Sequence, residues 1–417
     1  MSYLNTDEVS SALRALATKY PGLSELIELP NRSHEGRVSL ALRVGKWRGA
    51  DGVLFTGCQH AREWGGADAC VYFAADLLEA YTKGTGLQYG AQWFSRLNVE
   101  SIFEGVSVVV FPCVNPDGRT YDQAHDALWR KNRNPADSGG DPNRIGVDVN
   151  RNHDFLWDFR RAFDPVAAQL ATLASDDPAS DQYHGGAPGS EPETRNVQWL
   201  LDQYRFMRWY VDIHSYEGDL LYSWGDDSDQ STTPSMNFLN HAHDGQRGVF
   251  GGYGEYIPSE DLTTARGTAQ RVVDAMNAVR SGRYVALQSV SLWGSPGSVT
   301  YPTSGAADDY AFGRHRADCT KGKVYAFTLE FGFRQTDTRS SFHPPWPEMA
   351  EIVKEVDAGM VELCLVAAPI WIPPWQKAWR WLFPWQIWDP MIRFFGRILI
   401  AVLNVFGISR AFGRQWG

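Results

Sequence analysis

The chain has 417 residues, a formal charge of −10 and a sequence pI near 5.5. At 43% hydrophobic and 21% charged residues, it is long and apolar enough to bury a sizeable core. The acidic balance argues against a general nucleic-acid binder, which would carry a basic face, so no nucleic-acid partner is expected.

Met1–Glu8 lacks a basic stretch followed by an apolar one, so it does not read as a signal peptide. That leaves a cytoplasmic protein or one exported by a non-standard route. Asn5–Lys19 reads as a helix, with Asn5 and Glu8 as a capping box and Val9, Leu13 and Leu16 on one face. Val38–Val44 alternates like a half-buried strand, and Val53–Thr56 reads as another. A turn, Gly57-Cys58-Gln59-His60-Ala61-Arg62-Glu63-Trp64, leads into a helix over 65–81. Val106–Phe111 is a continuous apolar run, as in a strand buried on both faces. Residues 114–155 are rich in Asp, Asn and Gly and read as a long loop.

Glu191–Phe206 suits a helix with Pro192 at its first position. Trp209–Ile213 reads as a strand running into His214, and Val324–Phe331 as another buried strand. Helices are expected over 261–280 and 347–367. Strands alternating with helices give an α/β fold with a mostly parallel sheet, whose sites lie beyond the strand carboxyl ends.

Five cysteines with no C-x-x-C spacing make a thiolate metal site unexpected. Buried free thiols are the expectation, with Cys58 and Cys70 as a candidate bridge.

His60 and Glu63, three residues apart after a strand, can both face one cation, and His214 at a distant strand end is the natural third ligand. Each residue also has a plain reading. Glu63 could simply favour a helix N-terminus, and His214 could be a satisfied core histidine. Asn115-Pro116-Asp117-Gly118, Trp129-Arg130-Lys131, Asp148-Val149-Asn150-Arg151-Asn152, Tyr301-Pro302-Thr303-Ser304-Gly305 and Thr328-Leu329-Glu330-Phe331 follow in order. With these motifs the sequence, over about residues 3–366, resembles the zinc metallocarboxypeptidases of the pancreatic carboxypeptidase A/B type.

The resemblance implies a carboxypeptidase-like fold, a central mixed, mostly parallel twisted sheet flanked by helices. It implies one zinc ion per chain on His60, Glu63 and His214. It makes Glu330 the general base for an attacking water and Arg130 the oxyanion stabiliser. Arg62 would line the substrate channel, and Asn150 and Arg151 would grip the substrate's terminal carboxylate. Tyr301 on a mobile loop would close over it, and Ser215 and Tyr216 would line subsites.

Seven positions after Tyr301 stands Asp308, where an acid resembles the branch that removes C-terminal Lys or Arg; a buried carboxylate needs a cationic partner. The implied function is release of C-terminal residues from peptides or proteins. Broad specificity and cell-wall peptide amidase activity are the alternatives within enzymes. A membrane-attached or assembly scaffold is the alternative outside them. Residues 153–183 fit the pattern poorly and read as a surface insertion.

Composition shifts near residue 368, dividing a catalytic domain (1–367) from a Trp-rich, basic tail (368–417). The tail carries Trp371, Trp375, Trp379, Trp381, Trp385, Trp388 and Trp416, and Asp389 is its single acid. Met391–Phe412 has a broad apolar face with Arg393, Arg397 and Asn404 opposite, which suits an amphipathic helix at a membrane surface or an oligomer contact through 371–416.

Overall fold

The structure, a computed structural model, describes residues 2–46, 51–249, 251–280, 282–291 and 301–368. The Trp-rich tail expected after 368 lies outside them. In chain order the elements are α1 (Thr6–Lys19), β1 (Ser24–Glu28), β2 (Leu40–Val44), β3 (Gly52–Gly57), α2 (Gly65–Lys83), β4 (Leu87–Tyr89), β5 (Gln92–Phe94), α3 (Arg96–Gly105) and β6 (Ser107–Phe111). Then come α4 (Pro116–His125), α5 (Phe159–Ala162), α6 (Pro192–Gln203), β7 (Met207–Ser215), β8 (Asp219–Tyr222), β9 (Asp229–Gln230), β10 (Glu255–Tyr256) and α7 (Ser259–Asn277). The last are β11 (Val285–Gln288), α8 (Ala307–Ala317), β12 (Tyr325–Phe331), α9 (Thr338–Phe342) and α10 (Trp346–Ala367). No helix among the described residues is long and apolar enough to cross a membrane.

Eight strands form one mixed sheet in the order β1-β2-β6-β3-β7-β12-β8-β11. Its centre, β6-β3-β7-β12, is parallel. β1, β2 and β8 enter antiparallel. Alternate side chains of each central strand face opposite ways, so both faces are apolar. Val53, Phe55, Val211, Ile213, Phe327 and Leu329 pack with α2, α7 and α10 through Leu77, Val272 and Val356. Leu54, Val109, Tyr210 and Ala326 pack the other way, with α6 and α8 through Val197, Leu200 and Phe312.

The capping box of α1 is present, with Glu8 N–H on Asn5 Oδ1 (2.9 Å) and Asn5 N–H on Glu8 Oε2 (2.8 Å). The region expected as a loop over 114–155 departs from that reading at its start. Asn115-Pro116-Asp117-Gly118 opens α4, with Asn115 Oδ1 accepting from Gly118 N–H (2.9 Å) and Pro116 at the first helical position. A turn signature and a helix start share these residue types, and tertiary contact decides between them. Here a Cβ at position 118 would lie 2.5 Å from the Lys131 carbonyl, so glycine lets α4 dock against the Arg130 segment.

The candidate bridge between Cys58 and Cys70 is absent, since all five cysteines are free. Cys58 faces Cys113 and the Arg119 guanidinium instead. The segment 153–183 is more than a surface insertion: Phe159, Phe163 and Leu173 form a small core of their own, and its later residues reach the cleft described next.

Candidate active site

Three adjacent parallel strands, β3, β7 and β12, deliver the central residues to one edge of the sheet. Gly57 pairs with Ile213, and His214 with Glu330, so the ends of all three strands lie level. Cys58, with φ +57°, turns the chain out of β3, a backbone state that residues with a side chain seldom adopt. Gly57 permits the turn, because a Cβ there would sit 2.9 Å from the Gly66 backbone. His60 and Glu63 then face His214 from the turn before α2.

The ligand atoms converge. His60 Nδ1 lies 2.8 Å from Glu63 Oε1, His214 Nδ1 lies 2.8 Å from Glu63 Oε2, and the two Nδ1 atoms are 3.0 Å apart. All three side chains are buried. Behind each ring stands a carboxylate: His60 Nε2 is 3.2 Å from Asp148 Oδ1 and His214 Nε2 is 2.6 Å from Asp212 Oδ2. A proton on each Nε2 satisfies those carboxylates and leaves each Nδ1 a lone pair, the tautomer a metal ligand requires. Two lone pairs and a carboxylate would then meet head on, an arrangement that a cation resolves.

Without an ion, protons take the cation's place at this group. Burial alone would raise Glu63, yet His60 and His214 hold it well below the usual carboxylate range. Burial alone would lower His214, yet Asp212 and Glu63 hold it well above the usual histidine range. Two neutral imidazoles and one carboxylate are a donor set suited to zinc with an open position. The residues present therefore fit the ion.

Around this group lies a cleft of about 310 Å³ lined by every site residue expected from the sequence except His214, whose ring is buried beneath it. Arg130 is buried, and its Nε and Nη2 donate to Asp148 Oδ2 at 2.9 and 2.8 Å. Asp148 thus touches both a candidate ligand and Arg130. Glu330 opens onto the same cleft, and burial, helped by Glu63 and Asp219 against His214 and Arg130, pushes its carboxyl up to about 8.

Arg151 Nη1 donates to the Asn150 carbonyl (2.7 Å) and Nη2 to the Thr172 carbonyl (2.9 Å), which fixes the plane of the guanidinium. Asn150 is partly committed, since its Oδ1 accepts from Ala307 N–H (2.8 Å). Ser215 N–H reaches Glu63 Oε2 at 3.3 Å, and Tyr216 packs edge-on against Phe342, 4.7 Å between centroids. Tyr301 also lines the cleft, and residues 292–300 before it lie outside the described ones.

Asp308 sits in the first turn of α8, buried, with the Thr328 hydroxyl beside its carboxyl and no ion-pair partner among the described residues. Burial raises its carboxyl, and Asp212 adds to the rise. The neighbouring Asp309 turns away, accepting from Gly225 N–H at 3.0 Å. Of the two consecutive acids, Asp308 alone lines the cleft.

Sequence reasoning missed Asp148 and Asp212 as partners of the histidines, and Thr172, Gln182 and Phe342 as cleft walls. A signal existed for Asp212, since residues two apart on a strand share a face.

A second group, His34, Glu191 and Glu193, has metal-ligating side chains close together. Asn132 closes it. Its Oδ1 accepts from Val147 N–H (2.8 Å) and Asn134 N–H (3.2 Å), so its Nδ2 must face Glu191 Oε2 (2.7 Å) and Glu193 Oε2 (2.9 Å). A donor fixed between two carboxylates opposes a cation there. Burial, with Glu191 nearby, instead pushes Glu193 up to about 7. A carboxyl raised on folding weakens the folded state as pH climbs from its unfolded value toward 7. Glu193→Gln is therefore expected to gain stability over the parent between about pH 4.5 and 7, by up to about 3 kcal/mol, and to hold that gain above pH 7. Thermal unfolding of both proteins at pH 5, 6 and 8 checks this, and a pH-independent difference would refute it.

Comparison with known proteins agrees with this architecture. The sequence pattern of the zinc carboxypeptidases (Peptidase_M14) matches residues 9–359. The carboxypeptidase B of the crayfish Astacus astacus is 30% identical over 333 residues, 79% of this chain and 86% of that one. The metallocarboxypeptidase A of Trichophyton tonsurans is 31% identical over 229 residues, and the match spans 53% of this chain and 47% of that longer one. The fold is shared with the crystal structure of carboxypeptidase A from Helicoverpa armigera, at a TM-score of 0.65 and 22% identity, covering 88% of this chain and 74% of that one. The chain belongs to the zinc carboxypeptidase family, the zinc peptidases that act at peptide C-termini.

Proposed function

We propose that this cleft removes residues one at a time from the C-terminus of peptides or proteins, with a preference for Lys and Arg. The observation that carries the preference is the buried Asp308 carboxyl, without an ion-pair partner among the described residues, in the cleft that holds His60 and Glu63. A buried carboxylate without a cation is unfavourable, and a substrate ammonium or guanidinium would supply one.

His60, Glu63 and His214 would hold one zinc ion, which supplies Lewis-acid polarisation and acidifies water. Glu330 takes the proton of the attacking water and delivers it to the leaving amine. Arg130 offers a fixed positive charge where the oxyanion forms. Arg151 carries most of the carboxylate clamp, because its guanidinium matches a carboxylate bidentately and Asn150 is already shared with Ala307. Tyr301 closes over the bound end. Such a clamp accepts chain ends only, which makes the enzyme an exopeptidase. Arg62, Ser215 and Tyr216 line the path of the preceding residues.

A library of peptides differing only in the C-terminal residue, read by mass, tests this. Lys and Arg are expected to be released first. Asp308→Asn is expected to lower kcat/KM for them by about ten- to a hundredfold, the worth of a charge-assisted hydrogen bond, while apolar ends are spared. Preferential release of Phe or Leu by the parent would overturn the basic preference, and equal release of all residue types would replace it with a broad one. No release from any peptide, with no zinc bound, would leave the scaffold reading in its place.

A further inference from the structure

The upstream half of the cleft is built from a contact chain separate from Asp308. Arg62 lies over the Phe342 ring, 4.8 Å to its centroid, and Phe342 packs against Tyr216. With the C-terminal side chain directed to Asp308, the preceding residues must leave across this surface. Two ion pairs border it: Arg334, 6.0 Å from the Tyr216 ring centroid, donates to Glu217 (2.9 Å), and Arg62 is paired with a residue from the segment 153–183. Arg62 Nη1 donates to Asp181 Oδ2 at 3.1 Å and to the Leu128 carbonyl at 3.1 Å. The segment is anchored at this point, since Lys131 Nζ donates to the Pro178 carbonyl and Asp148 N–H to the Tyr183 carbonyl (2.8 Å). Gln182, beside Asp181, lines the cleft itself.

We propose that Asp181 is a specificity-determining residue for the upstream side of the substrate. Its carboxylate holds Arg62 against the wall and cancels the guanidinium's charge. The cleft therefore does not select acidic residues next to the one it removes. Without Asp181, Arg62 loses its ion-pair partner and presents more positive charge to the departing chain. This rests on the carboxypeptidase reading and adds to it a second selection, independent of Asp308.

The test uses the full zinc-loaded chain and three peptides that share a C-terminal Lys and differ only in the penultimate residue, Glu, Gln or Lys. Release of Lys from the Gln peptide by the parent establishes the activity itself, so its failure would count against the carboxypeptidase reading and not against Asp181. Asp181→Asn is expected to raise kcat/KM for the Glu peptide about threefold and lower it for the Lys peptide by a similar factor, chiefly through KM, as for a half-exposed ion pair. The Gln peptide should not move, and added salt should shrink both changes. A uniform fall on all three peptides would mean that Asp181 only shapes the wall, and no change would mean that it does not act. Asp177→Asn, which removes a neighbouring carboxylate paired with Arg144 outside the cleft, should leave the ratios unaltered. An equal shift from that variant would overturn the proposal in favour of the general field of the segment.

Discussion

Glu330→Gln is expected to lower kcat by between about a hundredfold and ten-thousandfold, the range for a lost general base, with one zinc still bound per chain. Glu330 is not among the converging ligand atoms, so the amide should leave the metal group intact. The change is also nearly isosteric in a half-buried position. Burial and the nearby carboxylates of Glu63 and Asp219 push this group up to about 8, and His214 and Arg130 pull the other way. A carboxyl held that far above its usual range binds a proton readily near neutrality, as a base that must take one from water and give it to an amine needs to do. A dication on His60, Glu63 and His214 would favour the ionised form and draw the value down. The check is kcat on a Lys-ended peptide, elemental zinc analysis and the melting temperature, measured on the same preparation. A variant that kept its rate, or lost its zinc, would refute the assignment.

The parts of the fold written in the sequence were those whose side chains carry their own environment. Val108–Phe111 is apolar throughout and Val324–Phe331 is so up to Phe327, and both lie in the buried parallel centre. His60 with Glu63 marked the turn after β3, and counting from Tyr301 reached Asp308, the one of the Asp308–Asp309 pair that lines the cleft. What the sequence hid depends on distant partners. β8 and β11 are four residues each, too short for a period to show; β8 forms on the edge that β12 offers, and β11 on the edge of β8. The first turn of α8 holds two consecutive aspartates, both buried, and only distant contacts send one toward the cleft and the other onto Gly225. Asp148 sits in a motif noticed for Asn150 and Arg151, but its contact with His60 spans 88 residues and leaves no local trace. Thr172 acts through its carbonyl, which any residue type would supply.

Arg130→Lys is expected to lower kcat by about a hundred- to a thousandfold with little change in KM or zinc content. The reason lies in how the guanidinium is held. Two of its nitrogens donate to one oxygen of Asp148, and the other oxygen of that carboxylate faces His60. The side chain is therefore fixed by one edge, and the charge it presents to the cleft needs no reorganisation when an oxyanion develops. A lysine keeps the charge but cannot hold that geometry, because its ammonium is a single point on a flexible stem. Asp148 would keep a cationic neighbour, so the protein should fold and retain its metal. Arg130→Ala should behave differently. Burial raises the Asp148 carboxyl, but Arg130 and His60 hold it well below the usual range. Removing Arg130 leaves a buried carboxylate with one partner fewer, a loss of about 3–5 kcal/mol for a broken buried pair. The alanine variant should thus lose stability and zinc affinity together with rate, and the lysine variant rate alone. Equal melting temperatures and zinc contents for the two variants would show that Arg130 serves the oxyanion without supporting His60 through Asp148. Equal losses of all three properties would show that its main part is to hold Asp148, and through it the metal ligand.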